Sequence, residues 1–279
     1  IAVVLMISSE HLDYHKTNEA YIDAKRNILR FQKKDDFAVI NRDYPASNES
    51  DIFTQGKVFQ VSRKKECKNG SFVKDNAIWM SIDGRKEKII DVAKIKLLGK
   101  HNLENVCAAV CVAQILGVSR NNIVKVLISF GGLEHRLEFA GEKNGIRFYN
   151  DSLSTIPEAT IEAMETLGDT ETLIAGGHDR GLDFSKLAEY LGKSRVKTLI
   201  LFPSTGERIW KAICRITPAE NRPEKFDVKT MEQAVRIAAA ETAPGKICLL
   251  SPASASFGIF KDYKDRGEQF KKAIEKLKS

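Results

Sequence analysis

The chain has 279 residues, 43% of them hydrophobic and 29% charged, which is apolar enough for sizeable cores and too long for one ordinary domain, so two domains are expected. The longest opening apolar run, Ile1 to Ile7, is far short of the about 20 residues of a membrane-spanning helix, and no basic leader or cleavage site precedes it. Five cysteines, odd in number and without a C-x-x-C pair, argue against a disulfide framework or a zinc site and fit a reducing cytoplasm; the net charge of +7 is interleaved with acidic residues, which argues for a solvated surface and against nucleic-acid binding.

The first apolar run reads as a buried strand, and because the chain opens directly in it without a methionine, an N-terminally incomplete protein is expected. A helix from Asn18 to Phe31 follows, with Tyr21, Ala24, Ile28 and Phe31 at steps of three, four and three on one face, Lys25 beside that face, and Thr17 or Asn18 placed as its cap. Short strands are expected near Phe37 to Ile40, Val58 to Val61 and Ala77 to Ile82. A second helix starts at His101 and Asn102, buries Val106, Ala109, Val110 and Ala113, and stops at Gly117; a third, capped by Ser119, runs through Ile123 to Phe130. The domain boundary is placed near Gly131 to Leu133.

From there on, strands at about 145–149, 172–175, 197–202 and 246–250 alternate with amphipathic helices, the pattern of a parallel, doubly wound sheet. Thr155 and Glu158 have capping-box spacing ahead of a helix that ends at Gly168. In such sheets ligands bind beyond the carboxyl ends of the strands. Asn150, Asp151, Ser152 and Thr155 follow the first of these strands. Gly176, Gly177, His178, Asp179 and Arg180 follow the second, and Ser251, Ser254 and Ser256 the last. Any one of these loops reads as an ordinary strand end, but three on one edge point to a site.

Other signals leave alternatives open. His11 and Asp13 after the opening strand, with Lys25 on the next helix, allow either a metal site or structural and solvated residues. Asn102 and Asn105, three apart in the first turn of a helix, can read a purine edge, or Asn102 can merely cap it. Arg136 can pair with Glu138 or hold a phosphate or ribose. No dinucleotide fingerprint and no G-x-x-x-x-G-K-[ST] loop is present.

The segments I-S-S-E-H-L-D-Y-H (7 to 15), L-L-G-K-H-N-L-E-N-V-C-A-A (97 to 109), G-L-E-H-R-L-E (132 to 138), Y-N-D-S-L-S-T-I-P-E-A-T (149 to 160), A-G-G-H-D-R-G-L-D-F (175 to 184) and L-S-P-A-S-A-S-F-G-I-F-K-D-Y-K-D-R-G-E-Q-F (250 to 270) resemble, in order, motifs of the Mur ligases. The resemblance spans essentially the whole chain, and H-R-L-E, N-D-S with T-x-P-E-A-T, and R-G-x-x-F are most similar to the D-glutamate-adding members. It implies an α/β protein: a partial central ATPase domain over 1–132 that lacks its phosphate loop, then a Rossmann-like domain over 133–279. The activity implied is ATP-dependent formation of an amide between D-glutamate and UDP-N-acetylmuramoyl-L-alanine through an acyl phosphate, in peptidoglycan synthesis. The fragment alone is expected to be inactive.

The same resemblance implies Mg²⁺ held by His11 and by Lys25 as a carbamate, and both of these as catalytic residues. It implies ATP held by Asn102, Asn105, Arg136 and Asp151, and D-glutamate held by Thr155, Arg180, Ser256, Phe257 and Tyr263. Leu153 stands where some relatives carry a lysine. A cytoplasmic monomer is expected, with no nucleic-acid partner and no membrane insertion. The competing readings are another amide ligase of the superfamily, such as an alanine-adding or folylpolyglutamate-type enzyme, and a non-catalytic nucleotide-binding relative.

Overall fold

A computed structural model describes residues 1–7 and 12–277 and divides the chain into two compact units, Ile1–Gly131 and Gly132–Ser279. Among the described residues no helix is long and apolar enough to cross a membrane.

The first unit contains β1 (Ala2–Val4), α1 (Leu12–His15), α2 (Asn18–Arg30), β2 (Phe37–Asn41), α3 (Pro45–Asn48), β3 (Lys57–Ser62), β4 (Gly70–Lys74), β5 (Ala77–Ile82), β6 (Arg85–Asp91), α4 (Lys100–Ile115) and α5 (Arg120–Ser129). Its six strands lie in sequence order, the first four parallel and the last two antiparallel. The period of two along β2 explains the layers. Ala38 and Ile40 pack with Leu29 of α2, whereas Val39 faces Val106, Cys107, Val110 and Cys111 of α4.

Two helical faces differ from the expectation. On α2, Ala24 is exposed, and Ile28 and Phe31 are 55% and 84% exposed, while Leu29 is fully buried. Of the expected face only Tyr21 is buried, with Leu29, while Ile22 and Arg26 are half-buried; Arg26 donates to Ser50 Oγ and the Ala46 carbonyl and stacks over Phe53, so a charged stem hides the apolar period. On α4, Ala109 points out and the cysteines complete the buried stripe. The caps agree: Thr17 Oγ1 accepts from Ala20 N, and Ser119 Oγ accepts from Asn122 N.

The second unit contains β7 (Glu138–Lys143), β8 (Ile146–Asn150), α6 (Pro157–Leu167), β9 (Thr170–Gly176), α7 (Ser185–Lys193), β10 (Thr198–Phe202), α8 (Thr205–Ile216), β11 (Glu224–Asp227), α9 (Met231–Glu241), β12 (Ile247–Leu250) and α10 (Tyr263–Glu275). The sheet order is β11-β10-β9-β12-β8-β7, all parallel except β7. Leu173, Leu199 and Leu249 pack under α6, α7 and α8, and their neighbours Ile174, Ile200 and Cys248 pack under α9 and α10, giving the doubly wound fold. The expected capping box is not formed. Ile156 is the N-cap and has no side-chain acceptor to offer, while Pro157 at the first helical position removes one of the N–H groups left unpaired there.

Candidate active site

In the second unit, β9, β12 and β8 are parallel neighbours, and the last of them in sequence, β12, is inserted between the other two. Their carboxyl-end loops therefore meet at a switch point of the sheet. Backbone bonds join them: Asp151 N to Leu250 O at 2.8 Å, Gly176 N to Pro252 O at 2.9 Å, and His178 N to Ala255 O at 2.8 Å. A Cβ on Gly177 would lie 2.3 Å from the Ala255 carbonyl oxygen, so only glycine permits this approach.

Asp151 is buried at the centre. Its Oδ1 accepts from Leu137 N at 3.2 Å and its Oδ2 from Ser251 Oγ at 2.8 Å. Burial pushes its carboxyl above the ordinary aspartate value, while the hydroxyls of Ser154 and Ser251, Leu137 N–H and Arg136 pull it back. His135 and Leu137, with φ of 65° and 46°, flank Arg136 in the left-handed region, a costly conformation for such residues that exposes the arginine. Arg136 does not pair with Glu138. Glu138 accepts from His135 N and Asn150 Nδ2, both at 2.9 Å, and pairs with Lys271 at 3.2 Å.

Beneath the loops lies Arg266 of α10, fully buried. Its Nε donates to Ser152 Oγ at 3.0 Å, Nη2 to Ser152 O at 2.8 Å and Nη1 to Ser254 O at 3.1 Å. All three acceptors are neutral, and burial pulls its pKa down to about 9. α10 comes this close because residue 267 is glycine: a Cβ there would lie 2.2 Å from His135 Nδ1.

Over this floor stand the residues expected to meet an amino acid. Arg180 is exposed, with its guanidinium 5.7 Å from the centre of the Phe257 ring and no ion pair among the described residues. Phe257 is 49% exposed, and the His178 ring meets it edge-on at 6.3 Å. Ser256 is buried, Thr155 and Tyr263 are half-buried, and the Tyr263 carbonyl accepts from Ser152 Oγ at 2.8 Å. Asp151, Thr155, Arg180, Ser256, Phe257 and Tyr263 thus lie on one sheet edge.

In the first unit Asn102 is buried at the start of α4. Its Nδ2 donates to Leu98 O at 2.5 Å and its Oδ1 accepts from Asn105 Nδ2 at 3.0 Å, leaving exposed Asn105 the freer amide. Between them Glu104 is buried, accepting from Tyr44 OH, Arg63 Nε and Asn41 Nδ2, each at 3.0 Å. That carboxylate ties α4 to the carboxyl ends of β2 and β3. Lys25 is exposed on α2, its Nζ 5.2 Å from the Tyr21 ring centre. His11 and the side chain of Asp13 lie outside the described residues. The one cluster of three His, Cys, Asp or Glu side chains placed to share a metal among the described residues is Glu134, His135 and Glu268, in the second unit.

Glu104, Arg266 and Arg208 have no site role in the sequence analysis, although Arg266 opens its R-G-x-x-F motif. Arg266 carried a signal: it stands four residues before Phe270, in register with Ala273 and Ile274 on the buried face of α10.

Parallel α/β units with polar side chains gathered at the carboxyl edge define a ligand-binding α/β protein. Residues 1–113 match the Mur ligase middle domain and residues 135–254 the Mur ligase glutamate ligase domain. The chain belongs to the Mur ligase family. It is 39% identical over 278 residues to the UDP-N-acetylmuramoylalanine--D-glutamate ligase of Thermoanaerobacter sp. (strain X514), covering 100% of this chain and 61% of that protein. With the ligase of the same name from Geobacillus kaustophilus the identity is 41%, covering 100% of this chain and 60% of the relative. The chain thus spans about three-fifths of the curated relatives it matches. Among solved structures, the MurF ligase of Thermotoga maritima in complex with ADP shares the fold, with a TM-score of 0.65 at 18% identity over 98% of this chain and 62% of that one.

Proposed function

We propose that this chain is the catalytic and amino-acid-binding portion of a cytoplasmic, ATP-dependent ligase that joins D-glutamate to UDP-N-acetylmuramoyl-L-alanine. The observation that carries this reading is the second unit's sheet edge, where Arg180, without an ion-pair partner among the described residues, stands over Phe257, and where the buried Arg266 guanidinium has only neutral hydrogen-bond partners. Positive charge left without a counter-ion suits a ligand with more than one carboxylate. The curated relatives that cover the whole chain carry the name of this activity.

A carboxylate is a poor electrophile. In the proposed reaction an oxygen of the acceptor's carboxylate takes the terminal phosphoryl group of ATP, ADP leaves, the amine of D-glutamate attacks the acyl carbon, and phosphate departs with that oxygen. Asn105, held by Asn102, reads the adenine edge from the first unit, and Arg136 meets ribose or phosphate. Asp151 holds the Arg136 turn through Leu137 N and the β12 loop through Ser251. Arg180 takes a D-glutamate carboxylate, bidentate where geometry permits. Thr155, Ser256, Phe257 and Tyr263 line that pocket.

His11 and Lys25 are assigned to Mg²⁺, Lys25 as a carbamate, which turns an ammonium into an oxygen ligand suited to a hard cation. The ion would offset charge on the transferred phosphoryl group. Lys25 is exposed and open to CO₂. A carbamate carbon signal after equilibration with ¹³C-bicarbonate, absent in Lys25→Ala, checks the assignment, and no difference between the two would reject it.

The reaction itself is tested by placing ¹⁸O in the acceptor's carboxylate, using this chain extended by the region that its relatives carry ahead of the middle domain. Label emerging in inorganic phosphate is the expected result, and phosphate released without label would reject the acyl-phosphate route. Arg180→Ala should then weaken D-glutamate use by about 2 kcal/mol through loss of a charge-assisted contact. An unchanged KM for D-glutamate would remove Arg180 from the site.

A further inference from the structure

Arg180 lies on a loop that one turn of a neighbouring helix grips on both sides. Before it, the Gly177 carbonyl accepts from Ser204 N at 2.9 Å, Thr205 N at 3.0 Å and Thr205 Oγ1 at 3.1 Å. After it, the Leu182 carbonyl accepts from Arg208 Nη2 at 2.7 Å. Between these points Asp179 Oδ1 accepts from Gly181 N at 2.8 Å and from Arg208 Nη1. The Arg208 guanidinium also lies over the Phe184 ring, 5.3 Å from its centre, where the loop re-enters the core. One arginine therefore spans the loop by a carboxylate, a carbonyl and an aromatic face.

The charges add a second point. Asp179 is the immediate neighbour of Arg180 and the nearest carboxylate in sequence that could neutralise it. Arg208 occupies Asp179 instead, and Arg180 is left with no ion pair among the described residues. An arginine that is to bind a substrate carboxylate must be both held in reach and kept from pairing within its own loop, because an internal salt bridge would have to break each time the ligand bound.

We infer that Arg208 is the positioning residue for Arg180: by engaging Asp179 and the Leu182 carbonyl it fixes the loop and keeps Arg180 unpaired, and so sets the preference for an amino acid with a second carboxylate. The inference rests on the ligase reading above. The contacts of Arg208 are all to the loop, through Asp179, the Leu182 carbonyl and the Phe184 ring, so its effect is expected on amino-acid binding and not on phosphoryl transfer.

The test uses the chain extended by the region that its relatives carry ahead of the middle domain. Arg208→Met, which keeps an apolar stem over Phe184, should raise the KM for D-glutamate about tenfold while leaving the KM for ATP unchanged and kcat within about twofold. Asp179→Asn alone, which keeps an Oδ1 acceptor for Arg208 and the link to the Leu182 carbonyl, should raise the KM for D-glutamate by less than Arg208→Met does. In the double variant Asp179→Asn/Arg208→Met there is no carboxylate left to capture Arg180, so most of the lost affinity should return. A brace with a merely structural role would lower kcat and raise both KM values, and the double variant would be no better than the single one; either result overturns the inference.

Trypsin supplies a readout that needs no turnover. Cleavage after Arg180 should be slow in the parent and about tenfold faster in Arg208→Met if the brace holds the loop closed. Equal rates would overturn the inference by themselves. A parent enzyme that releases no phosphate in response to D-glutamate would be a failure of the ligase reading, and the tryptic comparison would still decide for or against the brace.

Discussion

Each unit has a buried charged hub near the carboxyl ends of its parallel strands, Glu104 in the first and Arg266 in the second, and the hydrogen-bond partners of the two are of opposite kinds. In the first, Glu104 meets an arginine, a phenol and an amide, so the charge is answered by Arg63 within the protein. Burial pulls Arg63 down, but Glu104 outweighs it and leaves Arg63 raised. In the second, Arg266 meets two carbonyls and a hydroxyl, and nothing negative answers it. A buried ion without a counter-charge is costly. It persists here because three otherwise unsatisfied oxygens would replace it, and because, in the ligase reading, an anion binds above it. The first unit's network fixes a helix end; the second unit's network holds loops and places a positive charge beneath them.

Breaking the second network should have the largest effect. Arg266→Met leaves the oxygens of Ser152 and Ser254 without donors and should destabilise the second unit by about 3 kcal/mol, seen as a lower urea midpoint. An unchanged midpoint would mean that the guanidinium ties nothing together. Glu104→Gln should cost the first unit about 2 kcal/mol by leaving Arg63 without its counter-charge, and Glu104→Gln/Arg63→Met should recover part of that loss. Strict additivity of the two changes would show that the pair is not coupled.

Thiol chemistry sharpens the contrast between core and surface. Burial pushes Cys67 to about 11 and Cys107 and Cys111 to about 12, and it also raises the wholly buried Cys248. Of the five free thiols, only half-buried Cys214 should react promptly with a disulfide reagent in the native chain. Prompt reaction of Cys67, Cys107 or Cys111 would mean that the first unit's core opens readily.

The smallest effect concerns acid, and its sign differs between the units. Exposed Glu66 is held at about 2 by Lys74 and Lys86, below its ordinary 4.5, so its contribution is present above pH 4.5 and is lost as pH falls toward 2. Asp151 is raised, so the folded second unit takes up that proton before the unfolded chain does, and its contribution grows as pH falls. Glu66→Gln should flatten the acid limb of the first unit's stability, and Asp151→Asn should flatten the opposite trend in the second. Identical pH profiles for parent and variants would contradict both assignments.

The alternating sheet of the second unit was legible because β8, β9, β10 and β12 are apolar runs with helices between them. β6, β7 and β11 were not, and all three are edge strands whose charged residues guard an open edge at the expense of the apolar signal. β4, an interior strand, was lost between Gly70 and the Asp75–Asn76 turn, whose residues have φ of 48° and 54°. Of the candidate site, the three loops could be placed on one edge from strand ends alone. The roles of the hubs could not, because Glu104 and Arg266 sit in helices among ordinary charged residues, and what distinguishes them is partners from 12 to 114 positions away in the chain.

The second unit's sheet edge is proposed to accept D-glutamate in an ATP-driven ligation. That proposal is tested most directly by phosphate release from the extended chain with ATP, Mg²⁺ and UDP-N-acetylmuramoyl-L-alanine, comparing D-glutamate with L-glutamate, L-alanine, L-lysine and diaminopimelate. Release stimulated by D-glutamate alone is the predicted result; stimulation by a different amino acid, or by none, would contradict it.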